Sequence, residues 1–511
     1  MRWRGKRLAV VLALALVPAT ASAWEPQTTH AGLAEQAALA SRLHKRLVSL
    51  GFLGGLFEPL TIPSADAPAL ASALKLLSPT HGSVPDARGR QAALAWLTAG
   101  AALADIPASQ AANHFFDPAT GAGWIPPSRG VTGRIRELIG EGSVPGRGIP
   151  APDWLTAKAN PFNLDQFLNQ YAKAVSAATP GERSRYMAAA LVAAGAMLHV
   201  VGDLGAPSRV RGDAAAHLEP LGGGADDLGS RLERIAALTY GRLGIPAPSR
   251  TISRNHLRDF VTSRDGGGLA DLIARSYFSP NTLPEPTRVA GDPHPHVVRP
   301  QPALPARLNL MAANRDDGTT LRSPSGTCLA HYRIDHDLLT FSIDDDCVLE
   351  QLAVILPEVA AYETGLLDFL LRGELTITVS DQVTISGTGL GAGNLEVLVE
   401  DERGVRTSIS KIATQATSAA APSPAADSSG GSGTGSSGTG GSGTGGGTGG
   451  GGTGGGGTGG TGGGAPGAAP AGEPLTKVAM PPAGTRIVAV FRGTDAAGEP
   501  LVAVGAMPLT H

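Results

Sequence analysis

Along the first two thirds of the chain, apolar residues recur three and four positions apart in long alanine- and leucine-rich stretches. That spacing lines one face of a helix and predicts helices over 92–104, 163–178, 180–205 and 349–371. Thr179-Pro180 supplies a start signal for the third, and Gly205 with Pro207 a stop. The region 281–325 is proline-rich and aperiodic, and reads as a long loop excursion. After Arg372-Gly373 the period becomes two: 374–380, 395–399, 405–412, 486–491 and 501–504 alternate as short strands between glycine turns. The expected fold class is therefore mainly α, with a multi-helix domain over 24–373 followed by a small C-terminal β-sandwich domain over 374–511.

Composition changes this picture in one place. Of the 70 glycines in 511 residues, 24 fall in the 37-residue tract 428–464, which holds only Gly, Ser and Thr. The remainder is only mildly glycine-rich, and 42% apolar residues exclude wholesale disorder. Neither side of the tract has enough strands to bury a core, so a disordered insert at about 416–474 inside one β-domain is expected. A linker between a sandwich fragment and a tail is the simpler alternative.

The first 23 residues have the form of a secretory signal: Arg2, Arg4, Lys6 and Arg7, a short apolar run, then Ala21-Ser22-Ala23. A secreted or periplasmic protein beginning at Trp24 is expected. No later stretch reaches the roughly 18–20 uninterrupted apolar residues of a membrane span. Removing the four cations takes the formal net charge from −3 to −7, which disfavours nucleic acid as a partner. Cys328 and Cys347 are the two cysteines; an exported chain usually pairs an even set, although two free thiols stay open from sequence.

The candidate chemistry begins at the cleavage point. The α-amino group and carbonyl of Trp24 can chelate a cation, because the amine loses its proton at a pKa of about 7.7–8.0. His30 follows at the start of a helix. Further on, His199 and Asp203 are four apart on one helical face and can reach one metal. A buried histidine bonded to an aspartate has the same pattern. Asp105 precedes His114-Phe115-Phe116-Asp117-Pro118 in a loop after a helix.

In their order these residues resemble the zinc-dependent bacterial phospholipase C family, which shares its fold with the S1/P1-type nucleases. The matching positions are Trp24, His30, Asp105, His114 to Pro118, and Leu198-His199 with Asp203, within about 24–245. The resemblance implies zinc ions at the bottom of a cleft in a helical bundle. Trp24 and His30 would hold one, His114 and His199 another, and Asp203 would bridge them, with Asp105 as general base.

At the third site the sequence departs from the family pattern. Arg209 stands six residues beyond Asp203, where the family has histidine, and the remaining candidates are His217 with Glu219 or Glu233. Two zinc ions are thus expected, with the third site in doubt. Arg209 either replaces the lost cation and supplies charge for a substrate phosphate, or marks a site that has decayed. The expected function is an exported phosphodiesterase of phospholipase C type acting at a phospholipid or membrane surface. The alternatives are a single-strand nuclease and a catalytically decayed metal- or lipid-binding protein. With only 4% aromatic residues and an acidic balance, the base-stacking groove of a nuclease is disfavoured.

Overall fold

The computed structural model describes residues 26–61, 89–106, 108–126, 147–217, 230–241, 243–289, 302, 307–415, 474–481 and 483–509. Expectations for the signal segment, Trp24, Glu219 and the glycine tract concern residues outside that set. A helical part and a β part are both present. The main helices are α1 Ala31–Ala40, α2 Ala93–Leu103, α3 Leu164–Ser176, α4 Pro180–Asp203 and α5 Asp345–Leu370.

The three longest helices, α3, α4 and α5, each start on a side chain that satisfies a free backbone N–H. The Asn163 side chain accepts from the Gln166 N–H ahead of α3, and Thr179 with Glu182 forms a reciprocal capping box ahead of α4. The α3 residues Leu164, Phe167, Leu168, Tyr171 and Val175 are buried at helical spacing, so this helix presents one face to the core. By contrast, α4 is apolar on every side from Met187 to Val201, and that part is surrounded by protein. Among the described residues it is the helix long and apolar enough to cross a membrane, yet 89% of its apolar window is buried.

Two glycines set how α2 and α4 cross. A Cβ on Gly195 would lie 1.9 Å from the Leu97 carbonyl oxygen, and one on Gly100 would lie 2.1 Å from that of Val192. The two backbones therefore touch, which brings the C-terminal end of α4 against the end of α2. His199 and Asp203 lie on the first of these ends and Asp105 just beyond the second.

Pro59–Thr61 (β1) and Arg90–Ala92 (β2) form a small antiparallel pair beside α2. The region 281–325, expected as a loop, carries β3 Thr287–Arg288 and β4 Thr319–Arg322. With β5 Cys328–Asp335 and β6 Leu338–Ser342 these form a four-stranded antiparallel sheet in the order β3-β6-β5-β4. The prolines interrupt strands too short to show a period, and the ladder comes from the β5–β6 hairpin. A Cys328–Cys347 disulfide ties β5 to the first turn of α5.

The C-terminal strands are β7 Gly373–Val379, β8 Gln382–Gly387, β9 Leu390–Glu400, β10 Arg406–Thr414, β11 Pro474–Ala479, β12 Arg486–Asp495 and β13 Pro500–Pro508. They form one seven-stranded sheet in the order β10-β9-β12-β13-β7-β8-β11. β11 pairs with β8 and β12 with β9, so strands from both sides of the glycine tract share one sheet. Alternate residues divide between two cores. Ile487, Ala489 and Phe491 join Leu395, Val397, Ile377 and Ile385, whereas Val488, Val490, Val502 and Val504 join the core formed by the helices. Central strands are thus covered on both faces.

Because Gly195 lies where the backbones meet, Gly195→Ala is expected to lower the unfolding free energy by about 1–3 kcal/mol, the usual cost of overpacking. Denaturant unfolding measures it. An unchanged midpoint and slope would show that the helices have room to separate.

Candidate metal centre

Asp203 ends α4 and lies at the centre of a buried cluster. Its Oδ1 is 3.1 Å from His30 Nε2, and its Oδ2 is 2.8 Å from His114 Nδ1, 3.3 Å from His199 Nε2 and 3.3 Å from Arg209 Nη1. Asp105 closes the other side, with Oδ1 3.3 Å from His114 Nδ1 and Oδ2 3.3 Å from His199 Nε2. His30 stacks on His199 with ring centroids 3.5 Å apart. Asp105, His114, His199 and Asp203 each bring one donor atom within 4.8 Å of the others, and all four are buried.

Local structure explains how residues distant in sequence meet. His199 and Asp203 are separated by one turn of α4. Asp105 follows α2 directly, His114 ends the 3₁₀ segment Ala108–His114, and His30 precedes α1. The His199 Nδ1–H donates to the Ala101 carbonyl at 2.7 Å, which leaves Nε2 to face the carboxylates. That hydrogen bond exists because α2 and α4 touch.

The charges are strongly coupled. Burial opposes a charge on His199, but Asp105 and Asp203 outweigh it and push its pKa up to about 10. Burial, joined by the charge on His199, lowers His30 to about 4 despite Asp203. Burial lowers His114 as well, against the pull of Asp203 and Asp105. Burial would raise both aspartates, yet His199 and His114 hold Asp105 down, and Arg209 and His199 hold Asp203 well below the usual range.

The residues present suit a divalent metal. Both oxygens of Asp105 and His199 Nε2 face the cluster, buried and without a well-formed hydrogen bond, at 3.3 Å or more from their neighbours. Buried polar atoms are rarely left so, and a nitrogen and oxygen donor set without sulfur matches zinc. His30 contacts Asp203 beside this quartet. Asp105, expected as a base, stands among the donors as well as next to them.

The other expected residues gather on the far side of Asp203. Arg209 is 1% exposed, with Nε 3.1 Å from Glu233 Oε1 and its guanidinium 4.6 Å from the Phe115 ring centroid. Burial raises Glu233 to about 7 although Arg209 opposes this. His217 Nδ1 lies 3.4 Å from Glu233 Oε2, and its Nε2 is 2.9 Å from Ser208 Oγ. Burial and the nearby Arg209 hold His217 well below its normal pKa, and its Nε2 shares a hydrogen bond with the Ser208 hydroxyl. Arg209 thus lies between Asp203 and Glu233, bonded to Glu233, with His217 in contact with Glu233 on the far side.

Sequence reasoning missed Glu363, which α5 brings beside the cluster, 1% exposed. Its signal is one acid within the apolar run around Tyr362 and Leu366, indistinguishable in sequence from a surface position.

No family model and no curated protein matches the chain. Among solved structures, it is similar to the alpha toxin from Clostridium absonum, with 13% identity, 96% of each chain covered and a TM-score of 0.27. A TM-score of that size carries no inference about fold or activity.

Two outcomes follow from this electrostatics. Removing the guanidinium takes away the largest charge that holds Asp203 ionised and the hydrogen-bond partner of Glu233, so Arg209→Met is expected to cost about 3–5 kcal/mol of stability. Thermal or urea unfolding tests this, and a change under about 1 kcal/mol would contradict the ion-paired burial. The raised pKa of His199 stabilises the metal-free protein fully below about 6.5, and that contribution is lost as pH rises toward about 10. A metal taking Nε2 at pH 8 must displace a proton, so calorimetry in buffers of different ionisation enthalpy is expected to show proton release on zinc binding. Release unchanged between pH 8 and pH 11 would contradict it.

Proposed function

We propose that the chain is an exported, zinc-dependent phosphodiesterase of phospholipase C type. The observation that carries the reading is the convergence of four buried donors, Asp105, His114, His199 and Asp203, within 4.8 Å. Their identity and order along the chain are those on which the resemblance to the phospholipase C family rests. Trp24 and His30 are proposed to hold a second zinc with Asp203 as the shared carboxylate. This is the finer fold reading too: a zinc phospholipase C-like bundle followed by a β-sandwich domain.

When bound, zinc polarises a phosphoryl oxygen and lowers the pKa of water to about 7. The protein's own groups do the rest. Asp105 is ionised and meets His114 and His199 only at 3.3 Å, so one of its oxygens can orient an attacking water. Asp203 fixes three imidazoles at once. Arg209 keeps a permanent positive charge against Asp203, which holds that carboxylate ionised whether or not a cation is present. The same charge raises the local potential toward an anionic phosphodiester.

Lipid as substrate is supported by the surroundings. Ile106, Ile125 and Ile149 are 44%, 55% and 37% exposed, on the segments that flank Asp105 and His114. The Ile149 N–H donates to Asn113 beside His114, which ties that segment to the site. Apolar side chains around an acidic protein's polar centre suit contact with a lipid surface rather than with a polyanion.

The test compares protein starting at Trp24 with protein carrying one extra residue in front, which blocks the α-amino donor. Zinc content, phosphatidylcholine hydrolysis and hydrolysis of single-stranded RNA are measured for each. Near two zinc ions per chain and lipid hydrolysis, both reduced by the extension, are expected. RNA hydrolysis would favour the nuclease, and bound zinc without either activity a binding protein. For the enzyme, Asp105→Asn is expected to lower kcat about 10²–10⁴-fold. Retention of full activity would remove Asp105 from the chemistry.

A further inference from the structure

Glu363 has no role in the centre described so far, yet it is the most expensive residue near it. It lies inside α5, 1% exposed, and neither carboxylate oxygen has a hydrogen-bond partner. A carboxyl buried in this way costs free energy that an apolar side chain of the same size would not. The position is shaped for it, because residue 202 is glycine. A Cβ on Gly202 would meet Glu363 Oε1 at 2.5 Å and His30 Nδ1 at 3.6 Å, so any larger side chain would displace the carboxylate.

His30 shows the complementary gap. Its Nε2 lies 3.1 Å from Asp203 Oδ1, whereas its Nδ1 is buried with no partner. One ring nitrogen thus faces the donor cluster and the other faces the space over Gly202 that Glu363 shares. Histidines that bind metals almost always donate their second N–H to a carboxylate, a carbonyl or water, and that partner fixes which nitrogen is free. Among the described residues, Glu363 is the carboxyl at this place.

We propose that Glu363 is a positioning residue of the metal centre: a carboxyl oxygen of Glu363 accepts the Nδ1–H of His30 and so keeps Nε2 unprotonated and aimed at a divalent cation shared with Asp203. The inference rests on the metal-centre reading above and adds a residue from a helix that supplies none of the other donors. It also accounts for the unpartnered burial. The cost borne by the metal-free protein is offset when a cation draws His30 into line.

A merely structural glutamate would change the metal-free and metal-loaded proteins alike, and this gives the test. Glu363→Gln keeps the shape and an acceptor oxygen without the charge, and Glu363→Met removes the polar group. Zinc affinity is measured by chelator competition, and Tm with and without zinc, on the chain beginning at Trp24. The expected result is a metal-free Tm at or above that of the unsubstituted protein for Glu363→Met, with zinc affinity about 10- to 100-fold weaker. Glu363→Gln should fall between the two, and zinc should raise Tm less in both. Unchanged zinc affinity, with Tm lowered equally in both states, would overturn the role of Glu363 while leaving the metal centre standing. If the unsubstituted protein took up no zinc, both would fall together.

Discussion

The carboxylate of Asp203 is the contact on which the rest of the site depends. Wholly buried, it meets His30, His114, His199 and the Arg209 guanidinium within 3.3 Å. An isolated carboxylate could not stay ionised in such a place, since its desolvation alone would drive its pKa up. It stays charged because Arg209 and the imidazoles outweigh that cost, and they stay ordered because it is charged. Each member is therefore held by the others, with the positive charge of Arg209 and His199 gathered at Oδ2.

The fold serves this arrangement through backbone contact. Glycines at 100 and 195 let α2 and α4 touch, the Ala101 carbonyl then fixes the His199 ring, and Gly202 leaves room for Glu363 from α5. The C-terminal sheet supports the helices from another side, with Val488, Val490, Val502 and Val504 packed into their core. At the site left in doubt by the sequence, the guanidinium of Arg209 lies between Asp203 and Glu233. A side chain there gives permanent charge, with Glu233 bonded to it and His217 beside Glu233.

The legible parts of the sequence were those whose physics is local. The period of 180–205 and the Thr179-Pro180 start signal mark α4 to within two residues, and the i, i+4 spacing puts His199 and Asp203 on one face. Alternation around 486–491 marks β12, but it says nothing of burial on both faces, which arises when the sheet packs on the helices. The strands within 281–342 were hidden by prolines and short length. The grouping of Arg209, His217 and Glu233 was half visible: the departure at 209 could be read, whereas the ion pair to Glu233 depends on how the helix Arg231–Thr239 returns to the site. Glu363 was invisible, because burial of one acid in a long helix is decided by tertiary packing alone.

The central claim is that this buried group of histidines and carboxylates holds zinc. Anomalous scattering at the zinc edge, from crystals of the zinc-loaded protein beginning at Trp24, tests it most directly. The account predicts a peak with His114 and His199 nitrogens and an Asp203 oxygen at about 2.0–2.2 Å. Zinc found at other positions, with none between those residues, would contradict it.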